Sequence, residues 1–217
     1  MNLIWLIPLC VVSYLLGSFN FAVFLSRFRK QDIRKCGSGN PGATNMLRTF
    51  GFKLALLIFL LDALKGMVPA ILGYYLFQDR NIAMYAMGLS ATVGHCFPVF
   101  YRFRGGKGVA TIVGVFFFAN PVASAIAFTI AVIYGLIWEY GSVASFIFVS
   151  LLVVIQSAQS EHIVVSLLIF AIYLLMWGTH RKNILRLLSG QESRASLLKK
   201  LKRRNLSKKQ EVWRKEV

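Results

Sequence analysis

The stretch Arg34 to Gly51, RKCGSGNPGATNMLRTFG, is the first part of this sequence whose residue types and spacing could do chemistry. It holds four glycines, three small hydroxyl residues, two asparagines and three basic side chains, and no carboxylate. That inventory suits an anion: glycines let the backbone turn with positive φ and present successive N–H groups, while Lys35 and Arg48 add full positive charge. Glycine and basic residues are also ordinary at a membrane edge, so the run alone leaves both readings open. A second run joins Gly94-His95-Cys96-Phe97-Pro98 to Arg102, Arg104 and Gly105-Gly106-Lys107-Gly108-Val109-Ala110-Thr111. Its Gly-Gly-Lys-Gly core suits phosphate, but the GxxxxGK[ST] spacing and a preceding strand are absent, which excludes a nucleotide-binding loop of that kind. A helix starting at about Val109 would aim its first amides at the same anion. His95 fits a structural hydrogen bond better than a catalytic base. The third run is Thr179 to Glu192, THRKNILRLLSGQE. On a helix His180 and Asn183 share a face, as do Asn183 and Arg186. Membrane anchoring accounts for the basic residues there but not for the histidine and asparagine.

The elements that must position these runs are membrane spans. The chain has 217 residues, is 57% hydrophobic and has a mean hydropathy of +0.62, values of an integral membrane protein. Its 25 basic residues outnumber 8 acidic ones and cluster at Arg27 to Lys53, Arg102 to Lys107 and Arg181 to Lys215. Such clustering is first a matter of topology, and no aromatic-interleaved basic domain accompanies it, so nucleic acid is not an expected partner. Cys10, Cys36 and Cys96 are odd in number and lack CxxC spacing, which implies neither a disulfide framework nor a metal site. The first apolar stretch has no basic n-region before it and no small-residue cleavage site followed by a soluble domain, so it is expected to be a retained span rather than a signal peptide. The apolar segments are Leu3 to Leu25, Leu54 to Phe77, Ile82 to Tyr101, Val109 to Ala119, Val122 to Trp138, Val143 to Ile155 and Ile163 to Trp177. Seven spans are expected, although Val109 to Ala119 and Val143 to Ile155 fall short of the roughly 20 residues a crossing needs; five spans is the alternative. The basic flanks place the N-terminus outside, with the three polar runs and the C-terminus in the cytoplasm. Asp62 and Lys65 share a helix face within the second span, a functional hint or an internal ion pair. Residues 1–192 form the membrane domain. Residues 193–217 form a basic tail, with Leu197, Leu198, Leu201 and Leu206 at the spacing of a helix lying on an anionic leaflet.

GSGNPGATNMLRTFG, GHCFPVFYRFRGGKGVAT and HRKNILRLLSGQE, in that order, resemble the motifs of the bacterial acyl-phosphate:glycerol-3-phosphate acyltransferases, the PlsY family; GSFNFAVFLSR and DALKG fit as well. The likeness covers about residues 1 to 195, and it departs only slightly, at Thr179. It implies an all-α, seven-helix integral membrane bundle in the bacterial cell membrane with its active site at the cytoplasmic face. The reaction implied passes an acyl group from acyl phosphate to the 1-hydroxyl of glycerol 3-phosphate, giving lysophosphatidic acid and phosphate, with no cofactor and no metal. By the same resemblance Ser38, Arg48, Lys107, Ser145, His180 and Asn183 are catalytic. Gly37, Gly39, Asn40, Gly42, Thr44, Asn45, Gly105, Gly106 and Gly108 are substrate-binding.

The residues agree with that chemistry in their own right. An acyl phosphate is already activated, so the protein must place a hydroxyl against the carbonyl and stabilise the departing phosphate. The sequence has no GxSxG elbow, HEXXH set or HxxxxD pair. The general base is either His180 or a substrate phosphate oxygen. Coenzyme A is disfavoured as a donor carrier, because the short polar loops offer no domain for its nucleotide. A phosphate-ester transporter would want internal repeats and a midplane site instead, and a structural adaptor leaves the glycine spacing unexplained.

Overall fold

The computed structural model describes residues 1–194, and no strand occurs among them. The helices are α1 (Leu6–Ser18), α2 (Phe21–Phe28), α3 (Ala43–Phe50), α4 (Phe52–Leu76), α5 (Arg80–Cys96), α6 (Val109–Ala119), α7 (Pro121–Trp138), α8 (Gly141–Ala158), α9 (Ile163–Thr179) and α10 (Arg181–Leu188). Except for Ser193 and Arg194, the expected basic tail lies outside the described residues.

The expected count of seven crossings is not reproduced. Among the described residues five stretches are long and apolar enough to span, and a sixth results if α9 and α10, bent by 59° at His180, count as one. The remaining segment, α6, has only 11 residues. Its shortness has a physical reason: Gly66, midway along α4, packs against the Thr111 carbonyl in the first turn of α6. The loop before α6 is therefore recessed into the bundle, and the helix has only the remaining depth to cover. Three other boundaries also differ. The expected short segment Val143 to Ile155 is an 18-residue helix, α8, which runs on through Gln156, a good helix former whose Oε1 accepts a hydrogen bond from Tyr85. The first span breaks at Phe19, where Asn20 caps α2 by accepting the Val23 amide at 2.9 Å. The run Arg34 to Gly51 is not all loop, since its second half is α3.

Helices α1 and α5, α4 and α5, and α4 and α6 make the closest pairings. They approach through glycine, as expected where lipid removes the hydrophobic drive between helices and close van der Waals contact takes over. A Cβ on Gly17 would lie 2.0 Å from the Ala91 carbonyl oxygen, and one on Gly114 would lie 1.9 Å from that of Ala63. Leu56, Leu57, Leu60, Leu64, Val68 and Leu72 of α4 face outward and are exposed, the surface a lipid-solvated helix presents. Two polar ends result. At one, the Met1 amino group donates to the Leu76 carbonyl and Asn120 Nδ2 to Gln159 Oε1. At the other, Thr179 meets Lys107 and Ser142 meets Glu192.

Gly114→Ala should overpack the α4 contact and destabilise the bundle by about 1–3 kcal/mol. Gly178→Ala, whose Cβ would meet nothing within 4 Å, should leave thermal unfolding in detergent unchanged. Equal melting of the two variants would contradict the packing described.

Candidate active site

The first run is a braced loop leading into α3. Arg34 is engaged by Asp32 through bonds of 2.7 and 3.0 Å, and those hydrogen bonds pull the Asp32 carboxyl down to about 2. Gly37 and Gly39 turn the chain with φ of 55° and 71°, the left-handed region glycine reaches without strain. Asn45, expected at the substrate, instead serves the loop itself. Its Nδ2 donates to the Ile33 and Cys36 carbonyls at 3.1 and 2.9 Å, and its Oδ1 accepts the Ser38 amide at 2.9 Å. The amides of Gly39 and Gly42 also bond within the loop, to Cys36 and Asn40. The groups left facing outward are the exposed Ser38 and Thr44 at the head of α3, whose first amides lack intrahelical partners. Arg48, in the last turn of α3, donates to Ser193 Oγ at 3.1 Å.

The second run closes onto α5. Gly105 and Gly106 donate to the Cys96 and His95 carbonyls at 3.2 and 3.1 Å, so these two glycine amides hold the loop rather than an anion. Gly108 caps α6 with φ of 84°. The outward donors are the first amides of α6 and the half-buried Lys107 beside them.

The third run supplies the opposite wall. Thr179 Oγ1 donates to the Lys107 carbonyl at 3.1 Å and ties this run to the glycine loop. His180, 1% exposed, has Nδ1 2.9 Å from the Met176 carbonyl. A carbonyl only accepts, so Nδ1 carries the proton and Nε2 holds the lone pair of the neutral ring. After α10, Gly190 adopts φ of 69°, with Gly190 N bonded to Leu187 O and Gln191 N to Arg186 O. This is the Schellman turn that favours glycine, and it folds the chain back over α10. Glu192 consequently receives Ser142 Oγ at 2.8 Å, Asn183 Nδ2 at 2.5 Å and Arg186 Nε at 2.9 Å. Ser145, assigned to the pocket by resemblance, bonds instead to the Gly141 carbonyl of its own helix at 2.9 Å. Ser142, one turn earlier, reaches the third run. The roles of Ser142, Arg186 and Glu192 were not expected; the signal was that Glu192 is the one acid between His180 and Arg194.

Burial lowers the Lys107 ammonium to about 8; Glu192 opposes the fall, while Arg186 and Arg48 add to it. Burial also raises the cost of charging Glu192, yet the bonds from Arg186, Asn183 and Ser142 hold its carboxyl below the usual range. Lys107 thus feels two guanidiniums, Arg186 and Arg48, against one carboxylate, Glu192, a local excess of positive charge.

The model of the family described as glycerol-3-phosphate acyltransferase matches residues 7–190. This chain belongs to that family. Its relatives include a glycerol-3-phosphate acyltransferase of Thermoanaerobacter pseudethanolicus, 40% identical over 85% of this chain and 92% of the relative. Another, from Aquifex aeolicus, is 37% identical over 86% of this chain and 97% of the relative. The fold is similar to the crystal structure of PlsY, an integral membrane glycerol 3-phosphate acyltransferase, in its glycerol 3-phosphate form, with a TM-score of 0.84, 36% identity and coverage of 90% and 98% of the two chains. The lysophosphatidic acid form gives a TM-score of 0.77 at 35% identity, covering 87% of this chain and 94% of that one. The chain is accordingly an integral membrane protein of the PlsY family.

If Lys107 holds an anionic substrate as the ammonium, kcat/KM should fall as pH rises through about 8, by about tenfold per unit on the alkaline limb. Bound phosphate retains the proton, so kcat should fall at higher pH than kcat/KM. A wild-type profile flat to about pH 10, near the unperturbed lysine value, would contradict the assignment.

Proposed function

We propose that this protein transfers a fatty acyl group from acyl phosphate to the 1-hydroxyl of glycerol 3-phosphate. The observation that carries the proposal is the convergence of Arg48, Arg186 and Glu192 on Lys107, beside His180 and Asn183, in a family whose members act on glycerol 3-phosphate. Relatives of the same fold described as glycerol 3-phosphate and lysophosphatidic acid forms support the acceptor and the product. The hydroxyl oxygen forms the new ester bond to the acyl carbonyl carbon as the bond from that carbon to the phosphate oxygen breaks. The hydroxyl proton ends on the departing phosphate, directly or through His180 Nε2, and the atoms balance with no cofactor. Lys107 and the first amides of α6 stabilise the leaving phosphate, Ser38, Thr44 and Arg48 hold the acceptor's phosphate, and Asn183 orients the glycerol. A hydrogen-bond field shaped for phosphate oxygens favours phosphate over a thiolate as the leaving group. The active-site end also carries Arg27, Arg29, Lys30, Arg102, Arg104, Arg181 and Lys182, which by the positive-inside rule supports a cytoplasmic site.

Purified protein given glycerol 3-phosphate should release lysophosphatidic acid and phosphate from palmitoyl phosphate, and make almost no product from palmitoyl-coenzyme A at equal concentration. Comparable rates from the two donors would overturn the donor assignment.

A further inference from the structure

Three buried ionisable side chains take no part in the step above. Asp62 and Lys65 lie one turn apart on α4 and His95 lies in the last turn of α5, each between 2% and 3% exposed. The Lys65 ammonium is 2.9 Å from Asp62 Oδ1 and donates to the Phe19 carbonyl at 3.1 Å, at the break between α1 and α2. His95 Nδ1 is 3.7 Å from the same carboxylate oxygen. The opposite edge of the imidazole meets the glycine loop: a Cβ on Gly106 would lie 2.1 Å from Nε2. The His95 carbonyl receives the Gly106 amide, and the neighbouring Cys96 carbonyl receives that of Gly105. A continuous path of contact therefore runs from the α4 ion pair through the histidine ring to the residues immediately before Lys107.

An ion pair that merely locked α4 would leave two of these facts unexplained. It would not need a histidine wedged between carboxylate and loop, nor a lysine reaching across to the open carbonyl at Phe19. We propose that Asp62, Lys65 and His95 are positioning residues for the phosphate loop: the paired charges fix the imidazole, and the imidazole sets where Gly105 and Gly106 rest and hence where Lys107 meets the leaving phosphate. This rests on the acyl-transfer reading of the site. The requirement is strict because a misplacement of about 1 Å in a reacting constellation lowers turnover about a hundredfold.

Replacing both charged partners, Asp62→Leu with Lys65→Met, avoids leaving an unpaired buried charge, so a purely structural pair tolerates the exchange. The double variant should melt close to wild type while kcat falls about 10- to 100-fold with little change in KM for glycerol 3-phosphate. His95→Ala should show the same loss, and His95→Gln, which keeps a polar group of similar reach, should recover part of it. A readout independent of turnover is the rate at which a soluble amine-acylating reagent modifies Lys107, followed by mass spectrometry, which should rise several-fold in the double variant. A folded double variant with wild-type kcat and unchanged Lys107 modification would overturn the proposal; if that variant does not fold, His95→Ala with wild-type kcat would do so. Wild-type protein inactive with acyl phosphate would instead defeat the acyl-transfer reading, and the Lys107 modification rates would still decide whether the three residues set the loop.

Discussion

The candidate site depends on keeping a half-buried lysine cationic where solvation is poor. Burial lowers the Lys107 ammonium to about 8, and two neighbouring guanidiniums push the same way. Without a counter-charge the site would shed its proton or its cations would separate, because like charges in a poorly solvated region repel strongly. Glu192 supplies that counter-charge. It is itself sustained by Ser142, Asn183 and Arg186, so one carboxylate joins α8, α10 and the glycine loop electrostatically. The short α6, the bend at His180 and the Schellman turn at Gly190 are the local features that let these groups meet.

Depth also explains the division of labour among the glycines. Some let backbones touch, as Gly66 and Gly114 do between α4 and α6, and this contact sets how far the Lys107 loop is drawn inward. Others turn the chain, as Gly108 does to start α6 behind the lysine. The amides of Gly105 and Gly106 are engaged by the end of α5, which fixes the loop, while the first amides of α6 have no intrahelical carbonyl to bond. Rigid placement of donors before the substrate arrives is what allows electrostatic stabilisation without reorganisation during the reaction.

Much of this was legible in the sequence because composition and spacing report local physics. Carboxylate-free glycine runs marked the two loops, and the His180, Asn183 and Arg186 spacing marked a shared helix face. The start of α6 at Val109 followed from the glycines before it. Sequence could not show that Asn45 is consumed by Ile33, Cys36 and Ser38, because an asparagine that braces a loop and one that binds a ligand look alike in a string of residues. Nor could it distinguish Ser142 from Ser145, which share a face of α8 one turn apart and differ in which of them lies level with Glu192. The role of Glu192 required the φ of Gly190, and the seven-span count turns on α6, whose 11 residues start from a loop recessed against α4.

The most direct test of the cationic site uses inorganic phosphate, the group common to both proposed substrates and itself a proposed product. A ligand that binds only the folded state raises its melting temperature with concentration. Thermal unfolding in detergent across a phosphate series should show this rise for wild type and little of it for Lys107→Met, with the two proteins melting alike in phosphate-free buffer. An equal rise in both would contradict the central role given to Lys107.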